Sequence, residues 1–284
     1  MTDNSVAVEY FVLYNTSGEP INGELRHTAA LNEKPVIIVC HSFTAFKEWG
    51  FFPGVAEWFA KAGFVALTFN FSRNGVEGSN GRISDFEKFE KNTFSQEAED
   101  LGIVADAIWS GQIGAGIIDR SGMILLGHSR GGAIAILQAS VDERIQAVVS
   151  WSAVSSFDRW TERQKNQWRK SGYLPLAKDS TARPLRLGIN LLEDIEINKT
   201  SLDLLSAASR IRMPWLIIHG KADVTVQYHE AEDLYSASNR STTELMLLDR
   251  VGHLYNASTE SENNYRTLNN ILDKTLNWLQ RKIK

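Results

Sequence analysis

Cysteine occurs once in the 284 residues, at Cys40, which excludes an intramolecular disulfide and any metal site built on several cysteines. A reducing compartment suits such a chain. Charge of one sign is also scarce: 30 basic against 34 acidic residues leave a formal net charge of -4, with no basic footprint for nucleic acid or an anionic membrane surface. No apolar run reaches the length of a membrane span, and the opening MTDNSVAVEYF lacks a basic region followed by an apolar stretch and a small-residue cleavage site. The expectation is a soluble, cytoplasmic protein acting on a small molecule, with neither nucleic acid nor membrane as partner. Six histidines are present, yet none pairs with another at ligand spacing on a predicted element, so no metal is expected. A homodimer stays open.

What is present is a rhythm of short, continuous apolar runs: PVIIVCH, FVALTFNF, MILLGH, IQAVVSWS, PWLIIHG and TELMLLD. Such runs suit strands buried on both faces of a mostly parallel sheet. Before them, VEYFVLY and INGELRHTA flank the turn cluster NTSGEP and read as an antiparallel hairpin. Between the runs, Phe94, Ala98, Leu101, Ala105 and Ile108 recur at three- and four-residue steps, with Gln96, Glu97 and Glu99 elsewhere, predicting a helix over Phe94–Trp109. Further helices are expected at 55–62, 131–140, 228–236 and 263–280. This is an α/β class with helices on both faces of a doubly wound sheet.

One stretch breaks the rhythm. Residues 155–209 are far too long for an ordinary connection, and Phe157, Trp160, Gln164 and Trp168 mark one face of an expected helix there, with Ser201 a candidate cap for another through LDLLSAASRI. The expected organisation is an α/β core over 1–154 and 210–284 with a small helical cap insertion over 155–209. The Trp-rich face could bind substrate or pack the cap onto the sheet.

Ligands of parallel sheets bind at the carboxyl ends of strands. Three such ends carry Ser129, Asp223 and His253. A serine hydroxyl needs a base to become a nucleophile, and the base needs a carboxylate to hold its tautomer; these residues supply nucleophile, acid and base. Gly127 and Gly131 flank Ser129, as a strand turning sharply into a helix demands. Backbone N–H groups of Arg130 and Phe43 are the expected oxyanion donors. Asp249, ending the last strand, rivals Asp223. Cys40 reads as a small buried apolar residue, His41, His219 and His128 as supports of the site, and His27 and His229 as surface residues. Arg73 and Asn74 are candidates for the pocket border.

With these residues in place, the chain resembles the α/β-hydrolase superfamily from about Pro35 onward, on CHSFTAFKEWGFFP, LTFNFSRNGVEGSNG, LLGHSRGG, LIIHGKADVTV and GHLYN. It looks most similar to the dienelactone-hydrolase-like and feruloyl-esterase-like bacterial groups. The resemblance implies a serine esterase for small acyl or aromatic acids, working through an acyl-enzyme without a cofactor. It departs at His41-Ser42, where the family usually has His-Gly, and at Ser129, where dienelactone hydrolases proper use cysteine. Two alternatives remain open: a peptidase or acyl-peptide hydrolase using the same three residues, although prolyl-oligopeptidase relatives usually carry a large extra N-terminal domain, and a ligand-binding protein that kept the fold and lost catalysis.

Overall fold

The structure is a computed structural model that describes residues 5–29, 32–77, 81–176, 184–257 and 265–283. The chain opens with β1 (Val6–Tyr14) and β2 (Pro20–Thr28), an antiparallel hairpin. Its turn is organised by Asn15, whose side-chain oxygen accepts the amides of Ser17 and Glu19 at 3.0 and 2.9 Å. Then follow β3 (Lys34–Cys40), α1 (Phe52–Lys61), β4 (Val65–Phe69), α2 (Phe86–Glu90), α3 (Phe94–Ser110), β5 (Ile118–His128), α4 (Arg130–Ala139) and β6 (Ile145–Trp151). After a long insertion come β9 (Trp215–Gly220), α8 (His229–Ala237), β10 (Thr243–Leu248) and α9 (Arg266–Lys282). The insertion holds α5 (Glu162–Ser171), the paired strands β7 (Tyr173–Pro175) and β8 (Arg186–Gly188), α6 (Ile189–Ile197) and α7 (Leu204–Arg210).

Eight strands form one sheet in the order β1-β2-β4-β3-β5-β6-β9-β10. The first two pairings are antiparallel and the rest parallel. Successive side chains of the parallel strands enter opposite cores: Val36, Ile38 and Cys40 face the cluster with Leu101, Ile134 and Ala208, while Ile37 and Val39 face the one with Phe52, Phe59, Ile271 and Trp278. That two-sided burial is why these strands read as unbroken apolar runs rather than alternating ones.

The insertion differs in detail from its sequence pattern. Helix α5 begins at Glu162, so Phe157 and Trp160 precede it; the Thr161 hydroxyl accepts the Gln164 amide and Gln164 accepts the Thr161 amide, a reciprocal cap that starts the helix there. Helix α7 is capped by Asp203 through the Ser206 amide, not by Ser201. It packs on α4 and α8. Helices α2 and α6 and the β7–β8 pair were not foreseen, and residues 263 and 264 of the expected last helix lie outside the described residues.

Candidate active site

Strand β5 ends at His128 and α4 begins at Arg130, leaving one residue, Ser129, to make the turn. Its φ of 55° and ψ of -121° are a strained conformation for a residue with a side chain. Its amide donates to the Trp151 carbonyl at 2.8 Å and its carbonyl accepts the amides of Gly132 and Ala133, so strand and helix together impose the strain. The flanking glycines follow from contact distances. A Cβ at Gly127 would sit 2.3 Å from the Gly131 carbonyl oxygen, and one at Gly131 would sit 2.4 Å from those of Cys40 and His41. Backbone lies on both sides, so no side-chain adjustment could relieve either clash.

The expected acid and base arrive from the ends of β9 and β10. Asp223 Oδ1 accepts the amides of Thr225 and Val226, both at 2.9 Å, and Oδ2 accepts from His253 Nδ1 at 2.7 Å. His219 Nε2 lies 3.3 Å from the same oxygen and donates to the Val226 carbonyl at 2.9 Å. Burial opposes a charge on Asp223, but the hydrogen bonds from His219, His253 and the Val226 amide outweigh it and hold the carboxyl well below the usual carboxylate range. With Nδ1 occupied, His253 has Nε2 for chemistry. Ser129 and His253 line one cavity of about 500 Å³ and are not hydrogen-bonded to each other in this structure; such bonds are commonly long in unliganded sites and tighten around substrate.

Asp249 is elsewhere: it is exposed and pairs with Lys221 at 2.9 Å. Phe43 and Arg130 line the same cavity as Ser129. Among the described residues neither backbone amide donates to another protein group. The serine at position 42 is tolerated because the left-handed residue of this loop is Thr44, at φ 57°. His41 braces the loop, donating from Nδ1 to the Ser42 carbonyl at 2.9 Å and accepting the Phe71 amide at Nε2 at 3.3 Å. His128 donates from Nε2 to the His253 carbonyl at 2.9 Å, holding the loop that carries His253. Burial lowers both rings, His41 to about 4 and His128 to about 3, so they act as neutral struts. Burial pushes the Cys40 thiol up, away from any nucleophilic role.

Arg73 and Asn74 do not line the cavity; Arg73 reaches the Lys91 carbonyl and Glu19, and Asn74 is buried with its side-chain oxygen on the Val76 amide. Phe157 and Trp160 do line it, together with Phe94, Leu176 and Leu187. Phe157 also stacks on Phe94 with ring centroids 4.1 Å apart, so contact with the cavity and packing of the insertion coincide in one residue. His27 and His229 each have a partner, Glu9 at 3.0 Å and Glu232 at 2.7 Å. The sequence reading missed Glu97, which it placed on the polar side of α3. Glu97 is buried, accepts from Asn92 at 2.6 Å, and pairs with the Arg130 guanidinium at 3.1 Å. Its position four residues before Leu101 was the available signal. Among the described residues no cluster of three or more metal-ligating side chains occurs, and no helix is long and apolar enough to cross a membrane.

A sequence model of the prolyl oligopeptidase family matches residues 49–284. An Escherichia coli relative, described as an uncharacterized 31.7 kDa protein in the traX-finO intergenic region, is 24% identical over 208 residues, spanning 70% of this chain and 66% of that one. The chain thus covers just under two thirds of that relative's length. Solved structures with the same fold include the α/β hydrolase GrgF from Penicillium sp. sh18, at 17% identity and a TM-score of 0.73 over 98% of this chain and 99% of that one. Est1E from Butyrivibrio proteoclasticus, solved with ferulic acid, aligns at 19% identity and a TM-score of 0.69 over 97% and 99%. The esterase domain of a Rhodothermus marinus protein aligns at 19% and 0.66 over 98% and 100%.

Proposed function

The chain belongs to the prolyl oligopeptidase family and has the α/β-hydrolase fold, and on that premise we propose that it is a serine hydrolase that cleaves carboxylic esters of small acyl or aromatic acids. Ser129 Oγ attacks the ester carbonyl while His253 Nε2 takes its proton, and His253 returns that proton to the departing alcohol. Asp223 keeps the imidazole in the Nδ1–H tautomer and stabilises its cationic form. The amides of Phe43 and Arg130 receive the oxyanion, a contribution worth on the order of a hundredfold to a thousandfold in rate per donor. Water, activated by His253, then releases the acid. No step draws on a cofactor.

The observation that carries this reading is the 2.7 Å contact between Asp223 and His253 at the rim of the cavity that a strained Ser129 also faces. The segment 155–209 acts as a cap, since Phe157, Trp160, Leu176 and Leu187 close one side of that cavity. The largely apolar walls suit a small acyl or aryl group. The family description favours a second reading, cleavage of a peptide or acyl-peptide bond by the same residues; parallel assays with nitrophenyl esters and aminoacyl nitroanilides separate the two. A nitrophenyl ester is expected to give a pre-steady-state burst, and a fluorophosphonate to label Ser129. Both should vanish in Ser129→Ala, and a wild-type rate in that variant would refute the assignment.

A further inference from the structure

We propose that the side chain of Arg130 is a positioning group: stacked on the Phe43 ring, its guanidinium registers the loop that carries one expected oxyanion donor onto the helix that carries the other. This role lies beyond the backbone amides themselves and rests on the hydrolase reading above.

The two amides have unequal support. Arg130 is the first residue of α4, so its backbone is placed by that helix and by the turn at Ser129. Phe43 lies in the irregular segment after β3. Among the described residues the only polar contact of its backbone is local, from the Thr44 hydroxyl to the Phe43 carbonyl at 2.7 Å. The segment is tied on either side, by His41 on the Ser42 carbonyl at 2.9 Å and by the Lys47 amide on Asn70 Oδ1 at 2.7 Å. At Phe43 itself the side chain has to supply the anchor.

It does so through flat groups. The Arg130 guanidinium carbon lies 3.9 Å from the Phe43 ring centroid, and the Phe89 ring of α2 stacks on Phe43 with centroids 5.7 Å apart and planes 28° apart. The same guanidinium carbon lies 4.6 Å from the Phe94 centroid, and Phe94 stacks on Phe157 of the insertion at 4.1 Å. Arg130 is only 8% exposed, its Nη1 is held by Glu97 at 3.1 Å, and Asn92 holds Glu97 at 2.6 Å. A guanidinium fixed at its tip and packed against rings has little freedom, and its attraction to a ring face strengthens where water is excluded. Two donors that must meet one oxygen at about 2.7–3.1 Å need such registration, since an error of about 1 Å costs on the order of a hundredfold. Space-filling alone would be served as well by apolar side chains, without the cost of burying an ion pair.

The test compares phenyl trifluoromethyl ketone with its alcohol, phenyl(trifluoromethyl)methanol. Ser129 Oγ adds to the ketone carbon, its proton passes to His253 Nε2, and the carbonyl electron pair comes to rest on the oxygen that the two amides receive; the alcohol has nearly the same outline and forms no adduct. The ratio of their dissociation constants, by calorimetry, therefore reads the oxyanion site apart from fit to the cavity walls. Phe43→Leu is expected to lower the ketone's advantage at least about tenfold, and so is Glu97→Gln/Arg130→Gln, which removes the guanidinium without stranding a charge. The kcat for nitrophenyl acetate should fall with it. Phe43→Tyr, which keeps the ring under the guanidinium, is expected to recover most of the loss. A wild-type ratio in either of the first two variants overturns the proposal, as does a Tyr variant no better than the Leu one. The wild-type protein judges the hydrolase reading separately: ester turnover and a ketone preference that both vanish in Ser129→Ala uphold that reading whatever the other variants do, whereas neither turnover nor preference removes both.

Discussion

Two aspartates at the ends of neighbouring strands compete for one histidine, and their surroundings separate them. Asp223 is buried, accepts two backbone amides and meets His253 at 2.7 Å; Asp249 is exposed on Lys221. Replacing Asp223 by Asn removes the acceptor that selects the Nδ1–H tautomer, so turnover of an ester should drop by about 10⁴ while the fold persists. Steady-state rates alongside a circular dichroism spectrum check this, and full activity would move the role to Asp249. His219 shares the Asp223 oxygen and marks a residue whose location the sequence suggested but whose partner it could not name. Glu97 was misplaced for a related reason: a carboxylate is assigned to solvent by type, and only the arrival of Arg130 from another helix makes its burial affordable.

Elements whose signal is local were legible. The Phe94–Ser110 helix starts at the Thr93 cap and ends at Gly111 in a left-handed conformation, both written in the chain. The insertion was harder, because its short elements are held by contacts with the core more than by their own periodicity. Asp194 of α6 shows how: its Oδ2 accepts the amides of Phe94 and Ser95 at 3.0 and 3.1 Å, nearly a hundred residues away, at the N-terminus of α3. Asp194→Ala strips the shared acceptor from two buried or half-buried amides and should cost about 1–2 kcal/mol. Urea unfolding would show it, and a midpoint unchanged from the parent would mean that α6 is held by its apolar contacts alone.

At the scale of the whole molecule, buried neutral histidines make stability depend on pH. His41 and His128 titrate at about 4 and about 3 in the folded protein, against 6.5 for a free ring. Below 6.5 the unfolded chain therefore binds protons that the native state refuses, and stability falls with pH. Asp100, pushed up to about 6 by burial, and Glu97, which burial also pushes up, act in the opposite sense, because the native state takes their protons first. From about pH 7.5 to about pH 6 the two rings cost roughly 0.8 kcal/mol each and Asp100 returns roughly 0.4, so a Glu97→Gln protein should lose about 1 kcal/mol. Urea midpoints of that variant at those two pH values test the sign, and a higher midpoint at the acidic one would contradict it. The sequence by itself determined the α/β class, the order of the sheet-forming runs and the strand ends at which Ser129, Asp223 and His253 stand, because two-sided burial and a tight strand-to-helix turn leave composition and glycine spacing as their trace. Only the tertiary structure decided which carboxylate meets His253, which groups stack on Phe43 and how the insertion is tied down, because these depend on distances between segments far apart along the chain.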